Sequence, residues 1–235
     1  MKYHGKENAT FKGDEPTWAN ACVGENGNPQ IIEYASGFAA SANVLLDVVI
    51  ENRGAKFYVD VFIYPICFNM RHAVELFLKA SVKSLTHIAN LRGSKNPEFN
   101  VVESHDLGRI WTHVKRVALV ADERYTTLIS ALEEYVSDIA TVDATGQVFR
   151  YPFDTENQKH LTDLAVINAV VLKTRFKILE ELLRQLDRLN DHLLYEYAWG
   201  SFTTRLSRVQ LLKLVQNYPN GINGRSPVLM LRKHH

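Results

Sequence analysis

Little in this chain points to an oxidising compartment or to metal chemistry. Cysteine is scarce: of 235 residues only Cys22 and Cys67 carry a thiol, one in a polar leader and one in an apolar stretch. That is neither a disulfide framework nor a zinc spacing, and it suits a reducing cytoplasm. A surplus of one charge is lacking too. Lys plus Arg number 27 against 26 Asp plus Glu, so any RNA contact needs a local basic patch rather than a global field. The longest apolar run, near Phe57 to Met70, is broken by Asp60, Pro65 and Asn69, which argues against a membrane span. Residues 1–30 carry Asp14, Glu15 and Glu25 without an apolar core, so they do not read as a signal peptide. No Gly-rich phosphate loop, metal-ligand cluster or Ser/His/Asp arrangement stands out, and neither metal nor cofactor is expected.

What is present is helical periodicity. Residues 1–30 read as a loosely ordered arm, 31–200 as a helical bundle, and 201–235 as a C-terminal helix and tail. A first helix runs from near Ile32 to about Glu51 and stops at Asn52-Arg53-Gly54. A second covers roughly Lys56 to Leu91, with Pro65 marking a kink or a fresh start. Ser104 is placed to cap a third, with Asp106 adding negative charge to its first turn. A fourth spans about Glu123 to Ile139, and 141–156 is a loop. From Gln158 to Tyr197, apolar steps of three and four predict one long helix, roughly 60 Å if unbroken. Asn168 and Arg175 interrupt its apolar stripe, a pattern that sets register at dimer seams. Ser201 or Thr203 caps a last short helix reaching Tyr218. Strand-like alternation is nearly absent, and the architecture is all-α.

Charge inside the second helix is the feature most suggestive of function. Arg71, Glu75 and Lys79 recur every fourth residue and line one face. Buried charges cost several kcal/mol each unless paired, so they persist where they pair or act. Two readings stay open: a phosphate-binding cleft, or an internal ion-pair ladder with Glu75 also pairing Arg150. Neighbours on a helix point about 100° apart, so an Arg71 facing a cleft leaves His72 turned aside.

The blocks Asn69-Met70-Arg71-His72-Ala73-Val74-Glu75-Leu76-Phe77-Leu78-Lys79-Ala80, then Ser104-His105-Asp106-Leu107, then Phe149-Arg150-Tyr151-Pro152 resemble HEPN-like proteins (higher eukaryotes and prokaryotes nucleotide-binding). The likeness is to a bacterial branch with RHA-x-EL-x-LK, HDL and FRYP in that order, and it spans about residues 35–200. It implies a bundle of four or five helices that usually dimerises. Many members are metal-independent ribonucleases acting as toxins or in anti-phage defence, while others bind nucleotides or are inactive partners. Ribonuclease members carry an Arg followed, after four to six residues, by a His. None of the 14 arginines here does; Arg109 with His113 and Arg188 with His192 have three residues between.

Metal-free RNA cleavage needs a base, an acid and a cation for the phosphorane. Histidine suits proton transfer near neutrality, and the arginine fork suits phosphate. Arg71, His72, His105 and Arg150 are therefore the candidate catalytic set, with Glu75, Lys79, Asp106 and Tyr151 as substrate-binding residues; Tyr151 could stack on a base. Arg188 and His192 are secondary candidates, matched by the alternative of a solvated salt-bridged face. Arg205, Arg208, Lys213, Arg225, Arg232 and Lys233 tilt the C-terminal part basic, toward RNA phosphates or as ordinary surface. Trp111 and Trp199 read as packing residues. The expected partners are RNA, such as tRNA, a second copy of the chain, and an antitoxin or defence-system protein. The competing expectation is a non-catalytic helical module for dimerisation or partner binding.

Overall fold

The computed structural model describes residues 8–93, 99–200 and 206–217. They form seven helices: α1 (Gly24–Gly27), α2 (Ile31–Glu51), α3 (Val59–Leu91), α4 (Leu107–Ala121), α5 (Thr126–Val142), α6 (Ala169–Ala198) and α7 (Arg208–Gln216). Single 3-10 turns lie at Thr17–Ala19 and Glu123–Tyr125. Among the described residues there is no strand, only one isolated bridge between Phe153 and Lys159. The protein is an all-α bundle.

Helix α3 is its axis, packing on α2, α4 and α6, while α5 closes the ring between α4 and α6. The approach of α2 follows from its sequence. Its inward residues are Ala35, Ala39, Ala42, Leu46 and Val49, spaced by three and four, and the small alanines let the two backbones come close. α3 buries apolar residues all round, from Ile66 and Met70 to Leu85 and Ile88. By length and composition it is the one helix among the described residues able to cross a bilayer, with half of its most apolar window buried inside the fold. That is the profile of a core helix. Pro65 sits inside α3 without ending it, so no fresh start occurs there.

Polar cross-links fix the register of the core. The Tyr125 hydroxyl donates to Asn190 Oδ1 (2.8 Å), and Asn190 Nδ2 donates to Ser81 Oγ (3.1 Å). Arg124 bridges Asp122 and Glu196 in paired hydrogen bonds of 2.9–3.0 Å. These tie the α4–α5 corner to α6 and α3, and every partner is satisfied, as buried polar groups require.

Several boundaries differ from the sequence expectations. The long helix starts at Ala169 instead of Gln158, giving about 45 Å rather than 60 Å. The cause is Asn168, whose Oδ1 accepts from the amides of Val170 (2.9 Å) and Val171 (3.1 Å). What looked like a break in a stripe is an N-cap. Leu161 and Leu164 imitate helical spacing, but Leu161 adopts a positive φ of 58° and the segment stays irregular. Asp106, not Ser104, caps α4, accepting from the Arg109 amide at 2.9 Å. The last helix is capped by Ser207 and boxed by Gln210; Ser201, Thr203 and Tyr218 lie outside the described residues, as do Arg205, Arg225, Arg232 and Lys233. The second helix begins at Val59 after an extended Tyr58, not at Lys56.

Candidate functional site

Four residues on one stripe of α3 organise the site: Phe68, His72, Glu75 and Lys79, spaced by four, three and four. That spacing stacks them along one face. Glu75 is its hub and is only 2% exposed. Its Oε1 accepts from Lys79 Nζ and faces His105 Nδ1, each at 2.9 Å, while Oε2 pairs with Arg71 Nη1 and lies 3.9 Å from His72 Nδ1. Burial pushes the Glu75 carboxyl up, but His72, Lys79, Arg71 and His105 together outweigh it and hold it well below the ordinary carboxylate range.

Arg71 faces inward, also 2% exposed. Beyond Glu75, its Nε donates to the Asp143 carbonyl (3.2 Å) and its Nη2 to the carbonyls of His105 (2.5 Å) and Ala144 (2.7 Å). All three guanidinium nitrogens are thus engaged, and one side chain staples the segment before α4 and the turn after α5 to the central helix. That turn is built to be stapled. Asp143 Oδ1 accepts from the amides of Gly146 (2.8 Å) and Val148 (3.2 Å), an Asx-type turn. Gly146 takes a φ of +80°, and a Cβ there would stand 3.1 Å from Arg71 Nη1. Glycine is favoured on two counts, by the positive φ and by the closeness of the guanidinium.

The solvent-facing groups are different ones. The His105 side chain is 66% exposed although its Nδ1 points at Glu75. A carboxylate facing Nδ1 selects the tautomer with its proton there, leaving Nε2 free as an acceptor toward water. His72 is half-buried, edge-on to Phe38 with centroids 4.4 Å apart and stacked on Phe68 at 5.8 Å. Arg150 also lies over Phe68, its guanidinium carbon 5.6 Å from that ring and 5.2 Å from the Tyr151 ring. Both Arg150 and Tyr151 are exposed. Arg150 therefore does not pair with Glu75; His105 takes that position.

The three blocks do meet on α3, at two points along it. His105 stands over Glu75 and Arg150 over Phe68, about 10 Å apart along the axis from the helical rise. The other candidates are occupied elsewhere. Asp106 caps α4. Arg188 pairs with Glu181 (2.7 Å) on a solvated face of α6, and the exposed His192 faces the buried Glu196 (3.5 Å). Arg175 pairs with Glu134 and Asp138 of α5. Among the described residues no group of three or more His, Cys, Asp or Glu side chains is placed to hold a metal.

Sequence reasoning missed Phe38, Phe68, Asp143, Ala144 and Gly146. The Asp143-Ala144-Thr145-Gly146 run was the available signal for a tight turn; the carbonyl contacts left no mark in residue type.

Because the Glu75 carboxyl is held low in the folded state, its contribution to stability is fully present above the unfolded value near 4.5 and is lost as pH falls through the lower folded value. Asp122, also held low by Arg124 and Tyr197 against its burial, acts in the same direction. Urea midpoints are expected to stay level from pH 7 to 5 and drop steeply below 4.5. In Glu75→Gln the acid slope should be shallower; an equal slope would show that Glu75 does not carry the effect.

No family model matches this chain, and no curated protein or solved structure matches it.

Proposed function

We propose that this chain is a HEPN-like, RNA-binding effector with metal-independent endoribonuclease activity, serving in the cytoplasm in toxin–antitoxin or anti-phage defence and acting as a homodimer. The observation that carries the reading is the Glu75–His105 pair: a buried carboxylate orienting an exposed imidazole. That is the base-plus-orienter arrangement by which proton transfer is made efficient. In this reading His105 Nε2 takes the 2′-hydroxyl proton as the 2′-oxygen bonds to phosphorus. The bond to the 5′-oxygen breaks, and His72, which shares Glu75, returns a proton to it. The products are a 2′,3′-cyclic phosphate and a 5′-hydroxyl. Arg150 meets phosphate and Tyr151 stacks on a base. Arg71 and Lys79 position the carboxylate from inside rather than touch RNA.

The test is incubation of purified protein with tRNA and total RNA in EDTA. Cleavage leaving cyclic-phosphate ends is expected from wild type. If folded wild-type protein cuts neither RNA, the nuclease reading fails. A second reading, a non-catalytic helical module for dimerisation or partner binding, is favoured by the complete engagement of the Arg71 nitrogens. That is what an internal ion-pair clasp requires.

A further inference from the structure

A cavity of about 420 Å³ opens between α3, α5 and α6, with Arg71 but not His105 among its lining residues. Its wall is apolar: Cys67 and Met70 from α3, Ile139 from α5, Leu172 and Phe176 from α6, and Phe149 from the irregular segment that lies across it. Protein interiors hold few voids larger than one water. A space of this size with an apolar lining is within the range of small-molecule sites. Water gains little there, having few partners to bond.

The charges around the cavity decide what kind of molecule it suits. Arg71 is neutralised by Glu75 and spent on backbone carbonyls. At the rim, Arg175 is shared between Glu134 (2.8 Å) and Asp138 (2.9 Å). Asp143 is fully buried, and its charge, after burial itself, helps push the Cys67 thiol up to about 12, so that thiol is a neutral wall atom. The two cations that line the cavity, Arg71 and Arg175, each already have a carboxylate partner. An anionic headgroup would find no unpaired cation on the wall and would meet Asp138.

We infer that this cavity binds an uncharged, mainly apolar small molecule. The inference goes beyond the RNA reading and is read out without RNA, so each can fail alone.

The experiment is titration of the full chain with the neutral dye N-phenyl-1-naphthylamine, whose emission rises in apolar surroundings, followed by competition with decanol and decanoate. Saturable uptake of one dye per chain is expected, with decanol displacing it at least tenfold better than decanoate. Leu164→Trp and Val142→Trp, two partly exposed positions on the cavity lip, should each weaken dye binding at least tenfold. Trp199→Ala, an exposed aromatic away from the cavity, should leave it unchanged. Non-saturable uptake overturns the inference, as does indifference to both filling variants. Decanoate matching decanol overturns the uncharged class. The competition uses wild-type protein alone and decides the matter even if a filling variant fails to fold.

Discussion

Glu75→Gln is expected to lower the free energy of unfolding by about 3–5 kcal/mol, the usual cost of removing one partner of a buried ion pair. The amide keeps the shape of the carboxyl but removes its charge and turns one of its two acceptor oxygens into a donor. Arg71 and Lys79, 2% and 9% exposed, then remain inside the bundle without a counter-ion. Arg71 keeps its backbone acceptors, so the loss comes mainly from uncompensated charge, with one lost acceptor adding to it. For a chain of this size the thermal midpoint should fall by roughly 6–20 °C. Replacing Arg71 and Glu75 together by Met should cost less than the sum of the Arg71→Met and Glu75→Met changes, because the double variant removes Arg71 with its counter-ion and leaves only Lys79 without one. Urea unfolding of the four proteins gives the coupling directly. Additive single effects, or a Glu75→Gln loss below 1 kcal/mol, would mean the ladder is not coupled as its contacts imply.

His105→Ala should separate chemistry from folding where Glu75 substitutions cannot. The imidazole is 66% exposed; the fold uses this residue through its carbonyl, which alanine retains, and through one hydrogen bond to Glu75, which alanine loses. Stability should fall by about 0.5–1.5 kcal/mol, the worth of one hydrogen bond and well short of the Glu75→Gln loss. RNA cleavage, if His105 is the base, should fall by about 10²–10⁴-fold. Arg150→Ala should act differently, weakening RNA binding with a smaller effect on the chemical step, since its ring contacts place it about two helical turns from Glu75. Single-turnover rates at saturating RNA distinguish the two. A His105→Ala protein that cuts at the wild-type rate ends the proposed role of this histidine.

The helical architecture was legible because α2 carries three-and-four spacing over many turns and α3 a long apolar run with charges every fourth residue, ended by Asn52-Arg53-Gly54 and by Arg92-Gly93. The start of α6 was not, since Leu161 and Leu164 fall in phase with the helix that begins after them. Only the side-chain bonds of Asn168 decide where the helix starts. For the site, the i to i+4 spacing was enough to put Arg71, Glu75 and Lys79 on one face and in contact. Which loop residue would reach Glu75 was a question of tertiary distance, and there charge alone suggested Arg150. The structure gives that place to His105, while Arg150 lies over Phe68, an apolar residue whose ring offered no signal in the sequence.

The staple made by Arg71 has a consequence for how this surface could diversify. It grips three main-chain oxygens, those of His105, Asp143 and Ala144, and Ala144 contributes no side-chain chemistry of its own. Anchorage of this kind is blind to residue type at such a position. A position such as Ala144 can therefore exchange residues while the frame keeps its shape, whereas Asp143 and Gly146, which build the turn itself, cannot.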